Sequence, residues 1–117
     1  MPLIQVFTSQ TNVDTERSDA LLRELSSTLA RELEKPEAYV MTCLVPELRM
    51  TFAGTSAPAC YARLANLGEF SEAETTRLSA LLCRLLSQGL GVPPARIYLE
   101  FQNPEPHLWG FDGETFA

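Results

Sequence analysis

The sequence predicts an α+β fold in which one β-α-β unit is used twice, giving a four-stranded sheet with two helices on one face. Two stretches with leucines at helical spacing alternate with four apolar, strand-like runs. The segments "KPEAYVMTCL" and "VPPARIYLEF" both follow a helix end and share a proline and an alanine at matching places, 57 residues apart from Lys35 to Val92. At that offset Leu3–Phe7 falls on Cys60–Leu64, a strand onto a strand, so the chain reads as an internal duplication. A right-handed crossover in each unit puts both helices on the same side of the sheet.

The elements follow in order. Leu3–Phe7 is a first strand. Ser18–Leu33 is a helix, with Leu21, Leu22, Leu25, Leu29 and Leu33 on one face. Lys35-Pro36 ends it, because proline disfavours helical geometry in the residue before it. Ala38–Val45, "AYVMTCLV", is a continuous apolar run of the kind expected in the middle of a sheet. "MTFAGTSAP" is a loop with a short extended piece, and Cys60–Gly68 is a third strand. Ser71-Glu72-Ala73-Glu74 fits a capping box. The helix after it runs to about Gln88, with Leu78, Leu81, Leu82, Leu85 and Leu86 inward, and Gly89 and Gly91 stop it. Ala95–Phe101 is the fourth strand. The tail is turn-rich, yet Trp109, Phe111 and Phe116 make it a segment that packs.

Composition narrows the function. The 117 residues are 45% hydrophobic and 21% charged, which suits one globular domain spanning 1–117. A net charge of −6 argues against nucleic acid or an anionic membrane as partner, since both need a basic stripe. No apolar run nears the ~20 residues of a membrane span. The N-terminus lacks a basic segment and an apolar signal core, so a cytoplasmic location is the default, with non-classical secretion open. Cys43, Cys60 and Cys83 contain no C-x-x-C and read as reduced, small apolar residues. His107 stands alone, so no His-based metal site is expected. Two helices cover only one sheet face, leaving side chains such as Met41, Cys43 and Tyr98 for another copy of the chain to cover, which predicts a homo-oligomer.

Pro2 directly after Met1, Lys35-Pro36, "VPELRMTFAGTSAP", "RIYLEF" and the terminal "WGFDGETFA" together resemble the macrophage migration inhibitory factor family of the tautomerase superfamily, in register from residue 2 to 117. The resemblance implies a homotrimer whose sheets wrap into a central barrel, with three sites at subunit interfaces, each built around the amino-terminal proline. No cofactor is implied. With Met1 removed, Pro2 carries a free secondary amine. A chain-terminal amine ordinarily titrates at about 7.7–8.0; burial and a neighbouring cation such as Lys35 lower that value. A neutral amine is a general base suited to keto–enol tautomerisation of a phenylpyruvate-like aryl α-keto acid.

The remaining roles are carried over by position. Lys35, otherwise a cation at a helix C-terminus, would bind the substrate carboxylate and polarise the carbonyl. The Leu67 backbone amide would hold the same carboxylate. Tyr39, Tyr98, Phe111 and Phe116 would form an aromatic wall, Tyr98 coming from a neighbouring subunit with Phe116 beside it; taken singly, each reads more readily as a core residue. Trp109 is read as packing. Glu100 departs from the family pattern, in which many relatives carry asparagine; a carboxylate there would accept a hydrogen bond from a ring hydroxyl or repel an acidic substrate. Relatives with a C-x-x-C after the mid-chain loop are credited with thiol–disulfide chemistry, but here "PACYARL" leaves Cys60 without a partner. Three functions result: a tautomerase, a trimeric binding or signalling protein with a vestigial or weakly active pocket and an unidentified receptor, and a one-thiol redox protein. The last requires an exposed Cys60 with a lowered pKa.

Overall fold

A computed structural model describes all residues, 1–117. The elements are β1 (Leu3–Thr8), α1 (Thr15–Glu32), β2 (Met41–Val45), β3 (Cys60–Ala65), α2 (Glu72–Leu90), β4 (Ile97–Gln102) and a short C-terminal hairpin of β5 (Gly110–Phe111) and β6 (Glu114–Thr115). The sheet order is β2-β1-β3-β4. β1 runs parallel to β2 and antiparallel to β3, and β3 runs parallel to β4. This is the duplicated β-α-β arrangement with both helices on one face.

The core lies between that face and the helices. Ile4 and Val6 of β1 and Ala62 and Leu64 of β3 meet Leu21, Leu25 and Leu29 of α1 and Leu78, Leu82 and Leu86 of α2. Strict alternation along β1 sends Pro2, Ile4, Val6 and Thr8 inward and leaves Leu3, Gln5 and Phe7 on the other face. No helix is long and apolar enough to cross a membrane.

Several boundaries move, each for a local reason. α1 begins at Thr15 rather than Ser18, because the Asp14 carboxylate accepts from the Arg17 N–H at 2.8 Å and caps the helix three residues earlier. It ends at Glu32, before Lys35-Pro36, where Glu34 turns left-handed at φ 53°. The Ser71–Glu74 capping box forms as predicted, the Ser71 hydroxyl accepting from the Glu74 N–H and the Glu74 carboxylate from the Ser71 N–H. α2 runs through Gly89 to Leu90. Gly89 is no stop: a Cβ there would lie 2.7 Å from Leu21 Cδ1, so the missing side chain lets the two helices approach. Gly91, at φ 71°, ends the helix alone. Leu22 and Leu81 are half-buried flank positions rather than core.

The segment Ala38–Val45 differs most from its prediction. Residues Glu37–Tyr39 form a 3-10 turn, and the strand proper, β2, lies at a sheet edge, not in its middle. Its apolar Met41 and Val45 point to the face without helices, 64% and 38% exposed. β3 likewise stops at Ala65; the Asn66–Gly68 stretch is a loop, pinned where the Asn103 amide donates to the carbonyls of Asn66 and Gly68. At the start of β4, Pro94–Arg96 form a second 3-10 turn.

The repeat is also corrected by one residue. The buried helix set Leu21, Leu25, Thr28, Leu29 maps onto Leu78, Leu82, Leu85, Leu86 at 57. In the first strand of each unit, however, the inward residues Ile4 and Val6 correspond to Ala62 and Leu64, a shift of 58. Side chains in a strand alternate with period two, so a slip of one would turn every buried residue to solvent. The ladders agree: Leu3 pairs with Met41 as Tyr61 pairs with Tyr98.

Candidate functional site

A cavity of about 360 Å³ opens at the start of β1. Ten residues line it and eight are apolar, among them Met1, Pro2, Tyr39, Met41, Trp109 and Phe111. Its volume and apolar lining match a small-molecule site. Three segments build it. The entry to β1 supplies the floor, because Pro2 sits on the inward register of that strand and is fully buried. The 3-10 turn before β2 supplies Ala38 and Tyr39. The C-terminal hairpin supplies the lid: Phe111 meets Tyr39 edge to face at 5.7 Å and stacks on Phe116 at 6.1 Å and 15°. That hairpin closes through Asp112 and Gly113, both at positive φ, the geometry that matches strand twist in a two-residue turn.

The electrostatics centre on the chain terminus. The Met1 ammonium is held below its ordinary value of 8.0, first by burial and then by the Lys35 ammonium nearby. Lys35 itself is half-buried just after α1, its N–H donating to the Ala30 carbonyl at 3.0 Å. With Met1 attached, the Pro2 nitrogen is an amide, and the Pro2 carbonyl accepts from the Met41 N–H at 3.0 Å.

Of the residues singled out from sequence, Pro2, Tyr39 and Phe111 line the cavity, Lys35 lies close enough to bias the amine, and Phe116 backs the wall through Phe111. Leu67 is in the loop after β3, and its N–H has no hydrogen-bond partner within the chain. Tyr98 and Glu100 are not at the cavity of their own chain. They lie on β4, at the opposite sheet edge from β2, on the face without helices. There Glu100 is already engaged: the Tyr61 hydroxyl donates to its carboxylate and Arg63 Nε lies 3.4 Å from the same oxygen. That hydrogen bond pushes the Tyr61 phenol above its usual range.

Trp109 corrects the reading of simple packing, since it lines the cavity beside Gly110. Its spacing of two from Phe111, in a segment that turns out extended, is the signal that sets both rings on one side. Met41, on the sheet face without helices, reaches the cavity as well. The one-thiol redox reading fails: Cys60 is 2% exposed, and burial, with Cys83 adding to it, pushes its thiol up to about 12. No group of three or more His, Cys, Asp or Glu side chains is gathered anywhere as metal ligands.

Known proteins share this arrangement. The family model for macrophage migration inhibitory factor matches residues 1–117. Macrophage migration inhibitory factor from Rattus norvegicus is 36% identical over 99 residues, covering 85% of this chain and 86% of the relative. A homolog from Trichuris trichiura is 37% identical over 112 residues, 95% of this chain and 98% of the relative. Among solved structures, the homologue from Prochlorococcus marinus superposes with a TM-score of 0.92 at 40% identity, covering 98% of this chain and 99% of that one. The Toxoplasma gondii protein gives 0.90 at 30% identity, covering 97% and 99%. With the family model matching the whole chain, relatives 36–37% identical over most of it, and a solved homologue superposing over 98% of it, the chain belongs to the macrophage migration inhibitory factor family of the tautomerase superfamily.

Proposed function

We propose that the protein is a cofactor-independent keto–enol tautomerase acting on phenylpyruvate-like aryl α-keto acids, with the Pro2 amine, freed by removal of Met1, as general base. The observation that carries this reading is the chain terminus itself, which lies in an aromatic-walled cavity where burial and Lys35 already lower the pKa of the Met1 amine. Met1 is half-buried and Pro2 fully buried. Removing Met1 moves the amine one residue inward, where desolvation disfavours its cation more strongly.

The neutral Pro2 nitrogen takes the proton from the enol hydroxyl and returns it to the adjacent carbon, leaving the keto acid. Lys35 binds the carboxylate and draws charge from the carbonyl oxygen, and the free Leu67 N–H donates to the same carboxylate. Tyr39, Phe111 and Phe116 hold the aryl ring. The chain assembles as a homotrimer, so that Tyr98 and Glu100 of one copy complete the cavity of the next. The uncovered sheet face, with Met41 and Tyr98 64% and 65% exposed, supports that assembly.

The test is an ultraviolet assay of enol disappearance on protein whose N-terminus has been verified by mass. Pro2→Gly should lower turnover at least about tenfold, since a positioned base contributes ~10²–10⁴. Unchanged turnover overturns the role and leaves a binding protein on this scaffold. The active form is the neutral amine, so activity should rise with pH and level off once the Pro2 amine is deprotonated. Sedimentation should give about three times the 13.0 kDa chain mass.

A further inference from the structure

We propose that Arg96 is a positioning residue for the aromatic wall: its guanidinium locks the 52–58 loop, and the Phe52 ring held there fixes the orientation of Tyr98. This rests on the reading above, in which Tyr98 walls a neighbouring copy's cavity.

Arg96 ends the 3-10 turn before β4. Its Nε donates to the Pro58 carbonyl at 2.9 Å and its Nη1 to the Phe52 carbonyl at 3.1 Å. Its Nη2 donates to the carbonyls of Thr55 at 3.3 Å and Ala57 at 2.8 Å. Four carbonyls of one loop thus converge on one side chain. The loop has little else to hold it: a single bridge between Phe52 and Thr55 is its only ladder. A planar fork with fixed donor directions can satisfy such a set, and a lysine ammonium cannot.

The same group reaches the ring. The guanidinium carbon lies 5.3 Å from the Phe52 centroid. Phe52 in turn meets Tyr98 edge to face, 5.0 Å between centroids and 61° between planes. Tyr98 is 65% exposed, and Phe52 is the one aromatic ring packed on it. The path is therefore short and physical: guanidinium, loop carbonyls and ring, then Phe52 against Tyr98. An aryl ligand resting on Tyr98 gains from a ring of fixed direction, because aromatic pairs prefer particular angles. An alkyl ligand gains little from it.

The experiment uses protein with a verified Pro2 terminus, labelled with 3-fluorotyrosine. The chain has three tyrosines, and Tyr98→Phe assigns the Tyr98 signal by its loss. Parent, Arg96→Lys and Phe52→Leu are compared. In both variants the Tyr98 fluorine signal should shift while those of Tyr39 and Tyr61 hold. Turnover is read as deuterium incorporation beside the keto group, for phenylpyruvate and for an α-keto acid with an alkyl group in place of the ring. The aryl-to-alkyl ratio of kcat/KM should fall about fivefold, mostly through KM, with alkyl turnover unchanged. Phe52→Leu leaves the clamp intact, so the ring's part is read even where Arg96→Lys fails to fold. An unmoved Tyr98 signal in a folded variant overturns the proposal, and so does an equal loss for both substrates. If the parent turns over neither substrate while the Tyr98 signal still depends on Arg96 and Phe52, the tautomerase reading falls and the positioning of Tyr98 stands.

Discussion

The two β-α-β units have one scaffold and different ends. Their helices bury leucines at the same four-residue rhythm, and their 3-10 turns occupy matching places before the second strand. At the first strand, Pro2 corresponds to Cys60; both are buried on the helix side. Only the first unit enters its strand from a chain terminus, so only there does burial act on an amine. The second enters from the 46–59 loop, and Cys60 contributes an inert thiol. After the helix, Lys35 corresponds to Val92, and in the turn Tyr39 corresponds to Arg96. One unit thus brings an amine and an aromatic ring to a cavity, with a cation near enough to act on the amine. In the other, the matching positions fill the core and fasten a loop. Duplication supplied the frame twice, but the proposed chemistry depends on a chain end, which exists once.

The core should be where the units are interchangeable. Leu29 and Leu86 are both fully buried at equivalent positions. Leu29→Ala and Leu86→Ala should each cost about 2–5 kcal/mol, and by similar amounts, in denaturant unfolding. A cost below about 1 kcal/mol at one of them would break the equivalence.

The sites should be where they diverge. Lys35→Met should lower kcat/KM for an aryl keto acid about 10- to 100-fold, the loss expected for one charge-assisted hydrogen bond. Val92→Met, at the matching place, should leave kcat/KM where it was. Equal effects would overturn the proposed contact of Lys35 with substrate.

The smallest difference is conformational. Both helices end in a left-handed residue, Glu34 at φ 53° and Gly91 at φ 71°. A side chain costs about 1 kcal/mol in that region. Gly91→Ala should therefore destabilise by about that much, since a Cβ there meets only Arg17 and Gln10 at ordinary contact distance. Glu34→Gly should stabilise by up to a similar amount. Thermal midpoints moving the other way would show that local contacts outweigh backbone strain at these ends.

How much of this was legible beforehand depended on the range of the interaction. Leucine spacing, the Ser71–Glu74 box and the strand runs are local, so the sequence alone determined the two helices, the four strands and the duplication. The whole-chain resemblance determined which residues to watch: Pro2, Lys35 and the tail aromatics. Edge or centre could not be read from "AYVMTCLV", because an apolar strand looks alike whether a helix or another subunit covers it. The one-residue slip between the units was equally hidden, since strand length constrains register less than the facing ladder does. Only the tertiary structure decided that Trp109 and Met41 reach the cavity, that Glu100 is held by Tyr61 and Arg63, and that Arg96 gathers four carbonyls from a loop some forty residues earlier. Those contacts join segments far apart in the chain, and their partners are chosen by how the sheet and its loops pack rather than by any neighbour in sequence.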